Sequence, residues 1–218
     1  MSAAEASVRM DRIYRRQRHF YDLTRKYFLF GRDALIDGLA PPSGAHVLEV
    51  GCGTARNLVR IARRYPWARL YGLDASGEML KTAGAKATAA GLADRIALRQ
   101  GLAERLDPEA MFGVARGFDV VMLSYVLSMV PDWSGALKAA LGAVRPGGAV
   151  EIVDFGDIGR LPVGLGRPLG AWLERFEVTP RPEILGMLRA FERAGRGRAE
   201  MRNHLGGYAF LARFVRAD

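Results

Sequence analysis

The chain has 218 residues, half of them apolar, and carries a formal net charge of +9. This length and apolar content suit one globular domain with a sizeable core. The only cysteine, Cys52, excludes an internal disulfide framework and favours a reducing, cytoplasmic location. The three histidines lack the spacing of a zinc site, so we predict no metal. The longest apolar run, residues 120–130, is shorter than the roughly 20 residues that cross a bilayer.

The positive charge is concentrated at the two ends of the chain. Residues 1–32 carry eight Lys and Arg against three acids, and residues 160–216 carry eleven against five. Residues 33–159, by contrast, are close to neutral, with thirteen basic and fourteen acidic residues. Two basic flanks on a neutral body favour an anionic partner, either a membrane or a nucleic acid. The alternative is that these arginines are only solvated surface charges.

In chain order, the first predicted elements are one or two helices between Met10 and Gly38, which end before the break Pro41-Pro42-Ser43-Gly44. Short β-rich runs then alternate with helical stretches. The predicted strands cover 46–50, 69–73, 95–99, 118–123 and 149–154, and the helices between them 54–65, 76–90, 105–112 and 133–144. This alternation predicts crossover βαβ units and a parallel sheet.

The end of the chain has a different pattern. Residues 157–170 are rich in Gly, Pro and Arg, residues 181–194 form a predicted helix, and 198–203 and 207–216 are two strands joined at Gly206-Gly207. With these two strands at its edge, the predicted fold is α/β, a doubly wound, seven-stranded and mostly parallel sheet. We divide the chain into a basic, aromatic helical lid (1–40) and a main domain (41–218).

A glycine-rich loop follows the first strand, in the run Glu49-Val50-Gly51-Cys52-Gly53-Thr54-Ala55. Its glycines allow a sharp turn and close approach of a ligand, beside a helix N-terminus with free N–H donors. A nicotinamide site would need a third glycine where Arg56 stands. The spacing with an acid two residues before the first glycine instead resembles the first motif of class I S-adenosylmethionine-dependent methyltransferases.

Further markers follow the next strands. Asp74 ends the second strand 23 residues after Gly51, where an acid can accept hydrogen bonds from ribose hydroxyls. The resemblance implies S-adenosylmethionine as cofactor and S-adenosylhomocysteine as product, with Glu49 at the methionine end. The cofactor-binding residues it implies are Glu49, Gly51, Cys52, Gly53, Asp74, Ala75, Met79, Gly101, Leu102, Ser124 and Tyr27. Cys52 has no evident base beside it, so we interpret it as a small filler residue.

Residues 10–33, together with Ser124–Trp133 and the closing Gly206-Gly207-Tyr208-Ala209-Phe210, resemble the bacterial betaine-lipid N-methyltransferases of the BtaB type. These enzymes trimethylate diacylglyceryl-homoserine, so the resemblance implies a lipid substrate. It also implies a functional partner, the enzyme that makes the homoserine lipid. Aromatic faces stabilise a quaternary ammonium product, and Arg forks bind a carboxylate. We therefore predict catalytic roles for Tyr21 and Tyr125, and substrate contacts for Tyr14, Arg25, Arg32 and Trp133.

Each of these residues also has a simpler interpretation, as core packing for the aromatic side chains and as solvated charge for the arginines. The basic residues of 12–26 surround aromatic and aliphatic side chains, which is typical of a helix in a membrane interface. We therefore expect peripheral binding to an anionic membrane. A phosphatidylethanolamine or quinone-precursor methyltransferase remains an alternative. A nucleic-acid methyltransferase is less favoured because Ser124-Tyr125-Val126-Leu127 replaces the usual Pro-Pro motif after the fourth strand.

Overall fold

The computed structural model describes residues 29–157, 173 and 178–218. Seven strands of this part form one sheet in the order β3-β2-β1-β4-β5-β7-β6. The strands are β1 His46–Val50, β2 Arg69–Asp74, β3 Ile96–Gln100, β4 Phe118–Ser124, β5 Val144–Phe155, β6 Gly197–His204 and β7 Ala209–Arg216. Strands β1 to β5 run parallel, whereas β7 is antiparallel to both β5 and β6.

The central strands are apolar because helices cover both of their faces. In β1 the last four residues are buried, and in β4 the run Val120–Leu123 is buried throughout. Such continuous apolar runs are typical of strands in the middle of a parallel sheet. The one acidic residue in β1, Glu49, is therefore an exception that needs its own explanation.

Helices connect the strands. They are α1 Arg32–Gly38, α2 Arg56–Arg64, α3 Gly77–Ala89, α4 Pro108–Phe112, α5 Trp133–Ala143 and α6 Glu183–Arg193. Ser76 caps α3 by accepting the Met79 amide at 3.3 Å, and Asp132 caps α5 by accepting the Gly135 amide at 2.9 Å. These side chains satisfy N–H groups that have no partner inside the helix.

The helices lie on both faces of the sheet, and each face has its own apolar core. Leu35 and Ile36 of α1, with residues of α2 and α3, pack on the first face. On the second face α5 and α6 bury their apolar sides, and α4 lies at its edge. The doubly wound, seven-stranded fold inferred from the sequence is therefore confirmed. Because Leu35 and Ile36 belong to the first core, α1 packs with the main domain.

Two boundaries in the described part of the chain differ from the sequence prediction by more than two residues. The helix predicted over 105–112 is a 3-10 turn at Ala103–Arg105 followed by α4 from Pro108. Proline holds Asp107 extended, so that the helix begins at Pro108. Strand β5 also begins earlier than predicted, at Val144, with an irregular register between Phe118 and Val120 of the neighbouring strand. No helix among the described residues is both long and apolar enough to cross a membrane.

Candidate cofactor and active site

The loop after β1 is fixed to the carboxyl end of β2 by backbone hydrogen bonds. The amides of Gly51 and Cys52 both donate to the Leu73 carbonyl oxygen, at 2.7 and 3.0 Å. The Gly53 amide donates to Asp74 Oδ2 at 2.8 Å. The first two motifs of the sequence, separated along the chain, thus form one structural unit.

Three residues of this loop adopt left-handed backbone conformations, Gly51 at φ +68°, Gly53 at +52° and Ala55 at +60°. A Cβ on Gly51 would collide with the Val126 side chain, so no larger residue fits there. A Cβ on Gly53 would meet nothing within 4 Å, so this part of the loop faces open space. The loop therefore combines a tightly packed side at Gly51 with an open side at Gly53, where a ligand can approach.

Asp74 lies beside the loop and is 9% exposed. Its Oδ1 accepts the Ser76 amide at 2.9 Å, while Oδ2 accepts the Gly53 amide. An ionised carboxylate has about four acceptor positions and can bind several donors at once. The geometry suits the predicted ribose contact of Asp74, which itself stays a prediction.

Glu49 is 1% exposed and lies at the same edge of the sheet. Its Oε1 accepts a hydrogen bond from Asn57 Nδ2 at 2.7 Å, and Oε2 has no partner in the described part of the chain. Burial raises the pKa of this carboxyl to about 8, although the Asn57 hydrogen bond and the charge of Arg32 lower it. Glu49 is therefore a buried acid with one oxygen left for a cationic group.

Arg32, at the start of α1, is close enough to Glu49 and Tyr125 for their charges to affect it. Burial lowers the pKa of its guanidinium, as does the nearby charge of Arg56. Its Nε donates to the Leu29 carbonyl oxygen at 3.1 Å. Arg32 thus lies at the methionine end of the inferred cofactor site, which suits a bound carboxylate of either cofactor or acceptor.

The residues predicted to line the adenine side follow β2 and β3. The Gly101 amide donates to the Asp74 carbonyl oxygen at 3.0 Å, so this turn lies beside the ribose position. Gln100 Nε2 donates to the Ala75 carbonyl oxygen at 3.0 Å. Met79 is buried at the start of α3, and Leu102 is half-buried. The structure therefore brings Ala75 and Gly101 together at the end of β2.

At the end of β4 the backbone turns at Tyr125, which has a left-handed φ of +58°. The ring packs edge-to-face on Phe155, with centroids 4.7 Å apart, and the hydroxyl donates to the Phe30 carbonyl oxygen at 2.6 Å. Burial raises the pKa of this phenol well above its usual range, so it stays a donor. Ser124 Oγ, just before it, is buried and has no partner among the described residues. With Tyr125 only 2% exposed, its predicted catalytic role remains a prediction.

Cys52 is buried in the loop and packs over Gly72. Burial raises the pKa of the thiol well above its ordinary value, and the charges of Asp74 and Glu49 raise it further. A thiol held in its neutral form is a poor nucleophile. This geometry suits the interpretation of Cys52 as a filler residue.

Trp133 is half-buried at the start of α5 and packs against the core of the second face. The remaining predicted residues, Tyr14, Tyr21, Arg25 and Tyr27, lie outside the described part of the chain, and their roles stay predictions. No group of three potential metal ligands occurs among the described residues.

Sequence reasoning missed Asn57, whose amide is the hydrogen-bond donor to Glu49. The signal for it is weak, because an asparagine at the second position of a helix is ordinary on its own. Its importance depends on α2 placing it over a buried acid, and only the fold shows that. Arg56, considered in the sequence only as an obstacle to dinucleotide binding, also contacts Asn57.

The residues of this site fit S-adenosylmethionine on two observations. Its methionine ammonium needs an acceptor, and the buried Glu49 Oε2 lacks a partner within the described residues. Its ribose hydroxyls need a hydrogen-bond acceptor next to backbone that leaves open space for the sugar. Asp74, beside Gly53, supplies such an acceptor. Glu49, Gly53 and Asp74 would therefore hold the cofactor along the ends of β1 and β2. Ligands commonly bind at the carboxyl ends of the strands of a doubly wound sheet, next to the switch point, which lies here between β1 and β4.

Comparison with known proteins agrees with this geometry. Residues 47–148 match the family model of the methyltransferase domain. The ubiquinone/menaquinone biosynthesis C-methyltransferase of Paracoccus denitrificans is 31% identical over 163 residues, covering 74% of this chain and 60% of the relative. A ubiquinone biosynthesis O-methyltransferase of Paracidovorax citrulli is 37% identical over 115 residues, covering 53% and 45%. The chain thus spans less than two thirds of these relatives.

The fold has solved counterparts as well. The YcgJ protein of Bacillus subtilis superposes with a TM-score of 0.66 at 15% identity, over 86% of this chain and 98% of that protein. The seven-stranded sheet, the glycine loop beside Asp74 and the family match lead to one conclusion. Residues 47–148 resemble the methyltransferase domain, on a fold of the class I methyltransferase type whose site suits S-adenosylmethionine as methyl donor.

Proposed function

We propose that this chain is an S-adenosylmethionine-dependent N-methyltransferase that trimethylates the amine of diacylglyceryl-homoserine to form a betaine lipid. The bound cofactor supplies an activated methyl group on a sulfonium. In each round the ammonium would first lose a proton to water, and the amine lone pair would then form the new N–C bond as the S–C bond breaks. Little is then required of the protein beyond orientation and the exclusion of water.

The observation that carries the proposal is an aromatic cluster at the carboxyl ends of β4 and β5. Phe155 packs edge-to-face on Tyr125 and on Tyr208, and Tyr208 packs on Phe30 with centroids 5.4 Å apart. Phe30 is 43% exposed and Tyr208 is half-buried, so these two rings are accessible. Aromatic faces attract ammonium groups at every degree of methylation, because the attraction needs no N–H donor.

The proposed location is the inner face of a membrane, since the acyl chains of the acceptor stay in the bilayer. The basic residues of 1–32 and 160–216 support attraction to anionic lipids. The homoserine carboxylate would pair with an arginine, for which Arg32 at the cofactor edge and Arg25 are candidates. The enzyme that makes the homoserine lipid would act immediately before this one, and nucleic acid is not a proposed partner.

A second candidate is methylation of a quinone precursor. It is favoured by the similarity to the C-methyltransferase of Paracoccus denitrificans over 163 residues. Both acceptors are lipids, so membrane binding does not separate them. They differ in the atom that receives the methyl group, carbon for the quinone ring and nitrogen for the homoserine headgroup.

One assay separates the candidates. The purified protein is incubated with methyl-labelled S-adenosylmethionine and vesicles that contain diacylglyceryl-homoserine, phosphatidylethanolamine or a prenylated quinone precursor. We expect label in mono-, di- and trimethylated homoserine lipid by mass spectrometry. The Tyr21→Ala variant should slow transfer more than it weakens cofactor binding. Label confined to phosphatidylethanolamine or to the quinone ring would contradict the proposal, and the second candidate would stand in the quinone case.

A further inference from the structure

A run of four side chains links α1 to the buried acid of the cofactor site. Arg56 Nη2 donates to Asp33 Oδ1 at 3.0 Å, and Arg56 Nη1 donates to Asn57 Oδ1 at 3.1 Å. Asn57 Nδ2 then donates to Glu49 Oε1 at 2.7 Å. Helix α1 and strand β1 are thereby connected through α2.

The direction of these hydrogen bonds defines which way the Asn57 amide points. A guanidinium has donors only, so the atom of Asn57 that faces Arg56 must be the carbonyl oxygen. The amide nitrogen is then directed at Glu49, which as a carboxylate has acceptors only. With Asn57 6% and Glu49 1% exposed, water has little access to replace this contact.

We propose that Asn57 is a positioning residue for the cofactor, because its hydrogen bond to Oε1 orients Oε2 of Glu49 toward the cofactor ammonium. The proposal rests on the proposed function only in that the cofactor is S-adenosylmethionine. Asn57 itself does not touch the reacting atoms. It acts through Glu49, whose free oxygen makes the contact.

The charged groups around Glu49 define what Asn57 contributes. Arg32 on α1 and Arg56 on α2 favour the carboxylate, whereas Asp74 at the end of β2 disfavours it. Burial has the largest effect and raises the pKa of Glu49 to about 8, and the Asn57 hydrogen bond is the largest influence that lowers it. Loss of Asn57 therefore raises this pKa further, so a smaller fraction of Glu49 is ionised near neutral pH.

The test measures S-adenosylmethionine affinity of the full chain by calorimetry between pH 6.5 and about 9, the range on both sides of the Glu49 pKa. Asn57→Leu keeps the size of the side chain and removes the donor, and Asn57→Asp replaces the donor by an acceptor. We expect both to bind roughly tenfold to a hundredfold more weakly at neutral pH, as for loss of a hydrogen bond to a charged group. Asn203→Leu, at an exposed position of β6, is the matched control and should bind like the wild type.

Two readouts separate positioning from a merely structural role. The pH at which affinity rises should move upward in Asn57→Leu. In a Glu49→Gln background, Asn57→Leu should add only about a twofold loss, because the residue through which Asn57 acts is already neutral. The proposal would be overturned if the affinity losses of Glu49→Gln and Asn57→Leu multiplied in the double variant. It would also be overturned if the pH profile of affinity did not shift in Asn57→Leu. If Asn57→Leu unfolds, Asn57→Asp supplies the same two readouts.

The outcome also distinguishes this inference from the proposed function. Equal S-adenosylmethionine affinity in the wild type and in Asn57→Leu overturns the inference alone. Wild-type protein that does not bind the cofactor at any pH overturns both. Asp33→Asn, which loosens Arg56, should weaken binding by only about twofold to fivefold, because Asp33 and Arg56 are well exposed to solvent.

Discussion

Glu49 places an ionisable group where a parallel sheet normally has an apolar one. Its carboxyl has a pKa of about 8 in the folded chain, well above the usual value for glutamate. Between the usual glutamate pKa and the raised pKa of Glu49, the folded state binds more protons than the unfolded state does. The free energy of unfolding therefore falls as pH rises through this range. The buried Glu49 carboxyl of the candidate cofactor site therefore lowers the free energy of unfolding above the usual glutamate pKa.

Replacement of Glu49 by glutamine should remove that pH dependence. We expect Glu49→Gln to be as stable as the wild type near pH 5 and more stable near pH 8, by about 2 to 4 kcal/mol. Denaturant unfolding at both pH values measures the difference. If Glu49→Gln is no more stable than the wild type at pH 8, the buried carboxyl does not cause the loss of stability at high pH.

The sequence was informative about some residues of the site and silent about others. Glu49, Gly51 and Asp74 could be singled out because they stand at characteristic spacings after predicted strands, and their roles in cofactor binding stay predictions. Asn57 could not, since its hydrogen bond to Glu49 depends on the helical turn and the burial of both groups. Ser124 was placed correctly at the end of β4, but its unpartnered hydroxyl is visible only in the folded chain.

At the scale of elements, the turn after β4 anchors the start of α1. Tyr125, strained at positive φ, reaches 95 positions back along the chain to the Phe30 carbonyl oxygen. Gly31 follows with φ +82°, and a Cβ there would press on Val153 at 3.2 Å and on His204 at 3.3 Å. The position of the start of α1 is thus determined by Tyr125 at the end of β4 and by close packing of Gly31 against residues of two other strands.

Tyr125→Phe should loosen this anchor. Loss of the hydroxyl leaves the Phe30 carbonyl without its donor and should lower the free energy of unfolding by about 1 kcal/mol. Amide hydrogen exchange should also become faster in a peptide that covers residues 29–36. Tyr71→Phe, which loses a hydrogen bond to His46 elsewhere in the domain, is the matched control and should leave that peptide unchanged. Equal exchange in both variants would contradict the anchor.

Most elements followed from the sequence pattern, since buried parallel strands are short apolar runs. The bounds of β1 were predicted without error, and those of β2 and β3 within one residue. The helix over 105–112 was wrong in its first half, because the effect of Pro108 on Asp107 was overlooked. The β5 start was missed because Val144–Gly148 resembles a turn. Its Gly148 is required by the close approach of the Phe118 and Asp119 carbonyl oxygens of β4.

At the scale of the whole molecule, the basic ends of the chain predict a salt-sensitive membrane contact. We expect binding to anionic vesicles and little binding to neutral ones, with affinity falling as salt rises because charges are screened beyond about 8–10 Å at 0.1–0.15 M. Deletion of residues 1–18 should reduce binding. Sedimentation with vesicles measures all three. Salt-insensitive binding to neutral vesicles would show that the basic ends do not carry the attraction.

The acceptor is the part of the function on which fold gives least information. A doubly wound sheet offers a ligand site at the carboxyl ends of its strands, whereas specificity depends on the residues placed around that site. In this chain the segment with the most specific resemblance, residues 10–33, lies mostly outside the described residues. The described part contributes Phe30, Arg32 and Tyr208 to the edge where an acceptor would enter.

In the proposed cofactor site, the free oxygen of Glu49 would face the end of the cofactor that methyl transfer leaves unchanged. S-adenosylhomocysteine keeps the same ammonium, so Glu49 should hold product and methyl donor with equal strength. An interaction of this kind lowers KM without speeding the chemical step. It also slows departure of the spent cofactor, and does so more as pH rises and the acid ionises. Turnover in mildly alkaline conditions should therefore be limited by product release, and an enzyme that removes S-adenosylhomocysteine should accelerate it most there.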